Sequence, residues 1–533
     1  MRVDGGATDM MWDDRDEGAP SRWVRVFGVA VVGVQAVLLI GYSAHIYSHF
    51  DLTTDFAIYN QAWSLIAHGH LDPYSTLNPY NYPHYGYPYW SDHFELIMWP
   101  MALLWFLYPH SIDLLVVQDL ATSGSTLVAY WFVLDLIAAH ARKSSRSWHT
   151  GSRPASAADL TALVALGVLV VNPWIYWAAS FDFHIEALAT FFLLLAARDL
   201  WTGHGRRSLV WIVGVLLCGN VAATYLAGLG ISLAIARRDL RWVGGGLVAL
   251  GAAWSLGVSA IGGGVGTIIG GNYGYLAGPN AGANPSIVAI ATGALLHPSR
   301  PWRMVQARWL WTYRMLASSG LVGIVSGIGF GVAAVVLGAN TLNTAAVFSG
   351  PISSFQALPV YFFVLIGSVS VLLWMRRSAR RALRWAVVPI AVVVLAQAAV
   401  LSVTWIPKAR TQFLVVSGPT ADRLAAVQAA IPDDDEVVAS QGVIGRFADR
   451  QLIFPFLDIG DAGQVIPVYG TRVVFVLTTA GIEYASTAGT LASVRYLEGL
   501  HARSLGTGDG VYAFTWRPPR GTRYFTFPPT PPG

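Results

Sequence analysis

The chain has 533 residues, of which 54% are hydrophobic and only 12% are charged, and its formal net charge is +4. Soluble domains carry roughly 25% charged residues, so this composition excludes a soluble globular protein and predicts one with several membrane spans. The single cysteine, Cys218, excludes an intrachain disulfide. We expect membrane lipid as a partner, and no nucleic acid.

The N-terminal segment, residues 1–22, is polar and contains charges of both signs. It is too acidic and too long for the n-region of a secretory signal, so it predicts a cytoplasmic tail on an uncleaved first span. Arg22 and Arg25 flank the start of that span. The positive-inside rule then predicts a multi-pass protein of the plasma membrane whose N-terminus lies in the cytoplasm.

Residues 23–406 predict a transmembrane domain with a large first outer loop at 44–95 and about 9–12 membrane-spanning segments. Two apolar segments follow the loop. The loop is predicted to lie outside and the basic residues after these segments inside, so the chain must cross the membrane an odd number of times between them. One of the two is therefore expected to be short, oblique or re-entrant. Farther on, Cys218, Gly219 and Asn220 interrupt another apolar stretch. This interruption predicts two short half-spans with a polar break at mid-membrane.

Residues 407–517 alternate short β-type runs with helical ones, which predicts a small α/β domain. The arginine-rich run before the last span places this domain outside the cell. Residues 518–533 are rich in proline and predict an extended tail. The expected fold class is an α-helical polytopic membrane protein with a small extracytoplasmic α/β domain at its C-terminus.

Acidic and histidine side chains cluster in the first outer loop. Asp51 and Asp55 are four residues apart, so on one helix they would share a face, and the apolar residues after them predict an amphipathic interfacial helix. They could carry chemistry, or they could simply cap the N-terminus of that helix. Asp92, His93 and Glu95 follow at the end of the loop, where they could bind a metal, move a proton or face water as ordinary interfacial residues.

A further cluster, Asp182, His184 and Glu186, falls on the same predicted side. In an extended segment all three would project to one side, whereas on a helix only Asp182 and Glu186 would. Ionisable groups at the end of a span cost less than at its centre, so their presence alone does not prove function. Separate clusters on one side nevertheless predict that they converge.

Arginines also occur on the outer side, against the usual rule. Arg300, Arg303 and Arg308 alternate with tryptophans. They could bind lipid phosphates, because guanidinium groups match phosphate oxygens, or they could extend to headgroups from an interfacial helix. The glycine-rich run at 262–277 is not a phosphate-binding loop, because it lacks the GxxxxGK[ST] pattern.

Three segments together resemble one family. They begin at Phe50, Ser91 and Ser180 and read FDLTTDFAIYNQAWSLIAHG, SDHFELIMWPMALLWFLYP and SFDFHIEALATFFLLLAARDL. The chain resembles a prokaryotic family of polytopic membrane proteins known as a domain of unknown function. That family is similar in layout to GT-C-class glycosyltransferases, which use polyprenyl-phosphate sugars. The resemblance covers most of residues 25–405.

The resemblance implies a membrane glycosyltransferase of the cell envelope with a polyprenyl-phosphate sugar as donor and an envelope glycan or protein as acceptor. Asp55 would be the base that deprotonates the acceptor hydroxyl, with Asp51 and Asp182 as further catalytic carboxylates. The resemblance further implies that the substrate is bound by Asp92, Glu95, Arg300, Arg303 and Arg308. A possible divalent metal would be bound by His93, His184 and Glu186. The alternative function is that of a non-catalytic transporter or an envelope-assembly or binding protein.

Overall fold

The computed structural model describes residues 19–78, 85–145, 155–262, 264–279, 282, 285–345, 350–457, 463–479 and 486–529. Most of the predicted N-terminal tail, up to residue 18, lies outside these ranges. The side chain of Asp92 also lies outside what the structure describes. The described chain forms a helical bundle followed by a small domain that contains a β-sheet.

The bundle is built from helices of very different lengths. Its long helices are α1 (Arg22–Ser48), α5 (Ile112–Ser145), α6 (Ala155–Val170), α8 (Glu186–Thr202), α10 (Asn220–Ala236), α11 (Arg241–Gly262), α14 (Ser299–Ala317), α15 (Gly327–Leu342), α16 (Leu358–Arg377) and α17 (Arg381–Phe413). The shorter ones are α2 (Thr54–Ala67), α3 (Tyr89–Asp92), α4 (Met98–Met101), α7 (Pro173–Ser180), α9 (Gly205–Leu217), α12 (Gly264–Tyr273) and α13 (Ile287–Leu296).

Six helical segments of the described chain are long and apolar enough to cross a membrane: Arg22–Ser48, Ile112–Arg142, Ala157–Ser180, Arg238–Ile261, Leu358–Arg377 and Arg381–Phe413. Three shorter apolar helices, α10, α13 and α15, accompany them. The expected fold class, a polytopic helical membrane protein with a small C-terminal domain containing strands, is confirmed. The six are fewer than the predicted number of about 9–12 segments, and the three shorter helices have 17, 10 and 16 residues.

The segment after the first loop does not cross the bundle. It forms α4 and a 3₁₀-helix, Ala102–Phe106, before the chain enters α5. The indole N–H of Trp63 in α2 donates to the carbonyl oxygen of Met101 (2.9 Å), so this segment packs against α2. One of the two apolar segments is therefore short, as predicted, and α5 is the one that is long and apolar enough to cross a membrane.

The interruption at Cys218 and Gly219 is a reversal of the chain. The backbone N–H of Ile97 donates to the carbonyl oxygen of Leu217 (2.9 Å), which places the interruption beside the end of the first loop. At the other end of α10, the guanidinium of Arg237 reaches the carbonyl oxygen of Trp201 near the C-terminus of α8. The chain thus forms two short helices that are joined at a polar interruption, as predicted, and the depth of this interruption in the membrane stays a prediction. A polar interruption fits a turn between two antiparallel helices as well as a break within one.

The bundle has two chemically different ends. We call the end that carries residues 49–97 and the C-terminal domain the loop end. Arginines lie at the opposite end, where Arg237 packs over Trp201 and Arg377 donates to the carbonyl oxygen of His140. This distribution of arginine matches the one that the positive-inside rule describes for the cytoplasmic side.

The C-terminal domain contains a five-stranded mixed sheet. Strands β1 (Tyr74–Ser75) and β2 (Tyr87–Pro88) lie earlier, in the first loop. The elements of the domain are α18 (Gly418–Ala429), β3 (Glu436–Ser440), β4 (Ile453–Phe456), β5 (Gln464–Pro467), β6 (Val473–Thr478), α19 (Thr487–Gly499), β7 (Arg503–Gly508), β8 (Val511–Trp516) and β9 (Tyr524–Phe527). The strand order is β4-β3-β6-β8-β7, and β3 is parallel to both neighbours. Strand β9 pairs with β5 and lies within the segment predicted to be an extended tail.

The C-terminal domain packs against α2 and accepts hydrogen bonds from its side chains. The amide of Asn60 donates to the carbonyl oxygen of Gly445 (3.0 Å), and that of Gln61 donates to the carbonyl oxygen of Gln451 (3.0 Å). Most of α2 is buried between this domain and the bundle. The expectation of an interfacial helix with one face in water is therefore wrong, because the polar side chains of α2 bind protein backbone instead of water.

Candidate functional site

The N-terminus of α2 is held by a buried carboxylate from another part of the chain. Asp182 accepts the backbone N–H of Thr53 (2.9 Å) and of Phe56 (3.3 Å), and its second oxygen accepts the hydroxyl of Thr53. The first N–H groups of a helix have no partner within the helix, so a carboxylate at this position satisfies them and complements the helix dipole. Asp182 therefore positions α2. Its role as a catalytic carboxylate stays a prediction.

The turn that carries Asp182 is strained and braced from α5. Asp182 has a φ of 43°, which is unusual for a residue with a side chain. The side chain of Gln118 donates to the carbonyl oxygen of Asp182 (2.8 Å) and accepts the backbone N–H of His184. The segment is thus neither extended nor helical at Asp182. Gln118 was missed in the sequence, although an amide inside an apolar segment is a readable signal.

Asp55 is the exposed carboxylate of the site. It lies in the first turn of α2, and its side chain is 49% exposed, whereas that of His184 is 6% exposed. Its Oδ2 lies 3.7 Å from Nε2 of His184. Asp55 therefore combines access for a substrate with a fixed partner behind it.

The imidazole of His184 is fixed by its neighbours. Its Nδ1–H donates to the carbonyl oxygen of Phe181 (3.0 Å), and its ring stacks on Phe355 with the centroids 3.7 Å apart. Burial by itself lowers the pKa of His184, but the neighbouring carboxylates, Asp55 foremost, outweigh it and raise the pKa. An imidazolium, in which both nitrogens donate, fits this position. His184 then presents a positive charge to Asp55.

A second acidic group lies next to the first and is linked to it by α2. Tyr59, one turn after Asp55, packs between the rings of His93 (5.4 Å between centroids) and Phe183 (5.0 Å). Nδ1 of His93 lies 3.5 Å from Oε1 of Glu95. The predicted convergence of the loop and the turn before α8 is therefore seen at this end of α2.

Glu95 is buried and held by a tyrosine. The hydroxyl of Tyr89 donates to its Oε2 (3.0 Å). Burial and the charge of Glu95 raise the pKa of Tyr89 well above its usual range, so the hydroxyl stays protonated and can donate. A Cβ built on Gly219 would lie 3.1 Å from Glu95, and Gly219 has a φ of 101°. The reversal between α9 and α10 thus needs glycine to pass the loop end this closely.

Glu186 begins α8 and is the least satisfied acid of the site. Its side chain is buried, and its Oε2 has no hydrogen-bond partner. His184, Glu95 and His93 are close enough to influence its charge. A buried acceptor without a donor is unfavourable by about 1–3 kcal/mol, so Glu186 is the side chain from which we expect a contact with a bound molecule.

Asp51 ties the start of α2 to the C-terminal domain. Its Oδ1 accepts the backbone N–H groups of Val415 and Val416, both at 2.9 Å, and it is buried. It precedes α2, so it shares no helix face with Asp55, and it does not cap that helix. Thr53 does so instead, because its hydroxyl accepts the N–H of Asp55. Asp51 was predicted as catalytic, and its contacts support a structural role.

Asp51 should make stability depend on pH in a defined direction. Burial raises its pKa from 3.8 to about 6, so the folded state binds the proton more tightly than the unfolded chain. This contribution to stability is complete below the unfolded pKa and is lost as the pH rises through about 6, by up to about 3 kcal/mol. Asp51→Asn cannot titrate. Between pH 8 and pH 5, thermal unfolding should therefore show the wild type gaining stability relative to this variant; identical pH profiles would contradict the assignment.

The three predicted arginines have different environments. Arg300 and Arg303 line a pocket of about 740 Å³ together with Gly270, Gly274, Gly278 and Met304. Its wall includes α12, which packs against α3 next to His93. Arg308, by contrast, is buried, and its guanidinium donates to the carbonyl oxygens of Asn340, Asn343 and Ala345. Arg308 thus ties α14 to the end of α15.

The predicted metal ligands do not form a metal centre among the described side chains. No group of three or more histidine, cysteine, aspartate or glutamate residues in the described ranges is close enough to hold one ion. His184 uses Nδ1 on a carbonyl and turns Nε2 toward Asp55, while His93 turns Nδ1 toward Glu95.

Two comparisons with other proteins bear on the identity of the chain. No curated protein matches it. A family model described as a predicted membrane protein, DUF2079, matches residues 48–463, which include α2, the site and most of the bundle. This match covers more than half of the chain, and it agrees with the six helices that are able to cross a membrane. The chain belongs to the DUF2079 family of predicted membrane proteins.

Proposed function

We propose that this protein is a membrane glycosyltransferase that transfers a sugar from a polyprenyl-phosphate donor to an extracytoplasmic acceptor. The observation that carries the proposal is Asp55. Of the three carboxylates predicted to be catalytic, Asp51 and Asp182 accept backbone N–H groups, whereas Asp55 is half exposed and faces a fixed histidine. A general base needs such access to the proton that it removes.

In the proposed reaction, the hydroxyl group of the acceptor gives its proton to Asp55. Its oxygen forms a bond to the anomeric carbon of the sugar, and the bond between that carbon and the lipid phosphate breaks. The phosphate leaves with the bonding electrons. His184 lies behind Asp55, with Nε2 3.7 Å from Oδ2. The carboxylates of Glu186 and Glu95 accept hydrogen bonds from other hydroxyl groups of the bound sugar or acceptor.

The pocket at Arg300 and Arg303 supports a binding site for the donor phosphate. Guanidinium groups bind phosphate oxygens with charge-assisted hydrogen bonds. The pocket lies beside α3, and therefore beside the loop that carries His93 and Glu95. A divalent metal at the phosphate stays a prediction, and no step of the proposed reaction depends on it.

The proposed orientation puts the loop end on the extracytoplasmic side of the plasma membrane and the N-terminus in the cytoplasm. The arginine-rich connections at the opposite end support it, because positive charge is retained in the cytoplasm. An envelope glycan or protein would then reach Asp55 from outside, and the donor lipid from the bilayer.

Removing the pocket arginines should weaken donor binding. Arg300→Ala and Arg303→Ala each remove one possible charge-assisted hydrogen bond, so we expect KM for the donor to rise about tenfold or more with a smaller change in kcat. Arg308→Ala is the contrasting variant. It leaves three carbonyl oxygens without their donor and should lower the melting temperature instead. Unchanged KM in both pocket variants would exclude the pocket as the donor site.

The experiment that tests the proposed function is sugar transfer by the purified protein in nanodiscs, with a panel of polyprenyl-phosphate sugars as donors and hydroxyl-bearing glycans and peptides as acceptors. Transfer from one donor that depends on the protein would support the enzyme. If no donor supports transfer, the result would favour the alternative of a non-catalytic transporter or envelope-binding protein.

A further inference from the structure

One indole ring near the end of α17 contacts two cationic side chains. The guanidinium carbon of Arg314, in the last turn of α14, lies 5.5 Å from the centroid of the Trp405 ring. The ammonium nitrogen of Lys408 lies 4.3 Å from the same ring. Both are cation–π contacts, and each of the two helices supplies one of the charges. The two positive charges therefore lie around one ring.

The two charges are not neutralised by the described part of the protein. No ion pair there includes Arg314 or Lys408, although other arginines, such as Arg198 and Arg207, pair with aspartates. Cations are favourable in the last turn of a helix, but the helix dipole does not require two of them to face one indole. Their proposed side of the membrane is also the one on which basic residues are rare.

The ring lies where a membrane-spanning helix would reach the lipid headgroups. Helix α17 has exposed tryptophan Trp385 near its start and Trp405 near its end, and exposed valines such as Val400 and Val403 lie between them. At a rise of 1.5 Å per residue, the two tryptophans are about 30 Å apart, which is the thickness of the hydrocarbon core. Tryptophans are typical of the two boundaries of that core. Lys408 follows the second boundary and so lies at the level of the phosphates.

We propose that Arg314 and Lys408 bind the phosphate of an anionic phospholipid of the surrounding bilayer at the ring of Trp405. Guanidinium and ammonium groups donate charge-assisted hydrogen bonds to phosphate oxygens, and both side chains are long enough to reach past the ring. The acyl chains lie along the exposed valines of α17. This site is separate from the pocket at Arg300 and Arg303, and it does not depend on the reaction proposed above.

The bound lipid would support the side of the bundle that holds His184. Aromatic contacts lead from the ring of Trp405 to that histidine: Trp405–Trp177 (6.1 Å between centroids), Trp177–Phe413 (5.1 Å), Phe413–Phe181 (5.4 Å) and Phe181–His184 (5.1 Å). A headgroup that bridges α14 and α17 therefore stabilises the outer edge of this aromatic layer.

The test is lipid binding by the purified full-length protein in dodecyl maltoside micelles, with phosphatidylglycerol compared with phosphatidylcholine. A ligand that binds only the folded state raises the melting temperature in a saturable way. We expect this rise with phosphatidylglycerol, whose net charge is negative, and one tightly bound phosphatidylglycerol per chain in native mass spectrometry. Arg314→Gln and Lys408→Gln should each weaken this binding at least about fivefold, and the double variant should weaken it more.

Arg241→Gln is the matched control. The guanidinium carbon of Arg241 also lies over an indole, 5.3 Å from the ring of Trp242, but at the opposite end of the bundle. This variant loses the same charge and should retain the response. If the double variant does not fold, Lys408→Gln alone decides the result, because its side chain is exposed and makes no ion pair with a described residue.

Four results would each overturn the proposal. Phosphatidylcholine could stabilise the protein as well as phosphatidylglycerol does, or Arg241→Gln could lose the response as fully as the double variant. Inorganic phosphate alone could produce the same rise, which would identify a site for a free anion. Polyprenyl phosphate could bind more tightly than phosphatidylglycerol and lose its binding in the double variant, which would assign these residues to the donor.

Discussion

Asp55→Asn is expected to lower the rate of sugar transfer at least about 100-fold, because the amide cannot take the proton of the acceptor hydroxyl. The melting temperature should stay close to that of the wild type. Asp55 is half exposed, and α2 keeps its cap, since that cap is made by Thr53 and Asp182. Initial rates at saturating donor and acceptor, measured beside thermal unfolding, check both parts of this expectation.

Asp113→Asn is the matched control for that variant. Asp113 lies in the first turn of α5, at the same end of the bundle, and has a histidine, His110, as a neighbour. It therefore loses the same charge from a similar position without touching the site, and its rate should be unchanged. If both variants lose the same fraction of the transfer rate, the loss reflects the missing negative charge in general. If Asp55→Asn keeps the wild-type rate, Asp55 is not the base.

Asp182→Ala is expected to reduce both stability and transfer. It removes three hydrogen bonds and leaves the N–H groups of Thr53 and Phe56 without an acceptor, which should cost about 2–4 kcal/mol of the free energy of unfolding. Transfer should fall as well, because α2 carries Asp55. The same substitution in a Thr53→Ala background should cost less, since part of the interaction is already gone. Strictly additive losses of stability in the double variant would contradict a direct interaction between Asp182 and Thr53.

The sequence was sufficient to predict the class of fold and the convergence of the site, and insufficient to predict how each acid is used. Asp55, His184, Glu95 and Glu186 come together as their polar clusters on one predicted side suggested. Asp51 and Asp182, however, bind backbone N–H groups, and a local pattern cannot show such partners. The donors to Asp51 lie 364 and 365 residues away along the chain. The accessible carboxylate could therefore be identified only in the folded chain.

Other differences have equally physical reasons. Arg308 and Arg300 look alike in the sequence, and both donate to backbone carbonyl oxygens, but Arg308 is buried whereas Arg300 also lines a pocket. Gln118 was missed although its signal was available, since an amide group is unusual within an apolar span. The interruption at Gly219 was detected correctly, but only the contact with Glu95 shows that the chain turns back there.

The packing of the C-terminal domain against α2 has a consequence for the order in which the protein folds during synthesis. Asn60 donates to a carbonyl oxygen 385 residues farther along the chain, and Arg446 packs 3.9 Å above the ring of Phe50. During synthesis the helix that carries Asp55 emerges early, yet its partners are translated almost last. The nascent chain therefore inserts its spans before the residues that pack against this helix have been synthesised. A chain that is truncated before Gly445 would lack the contacts that hold α2 in place.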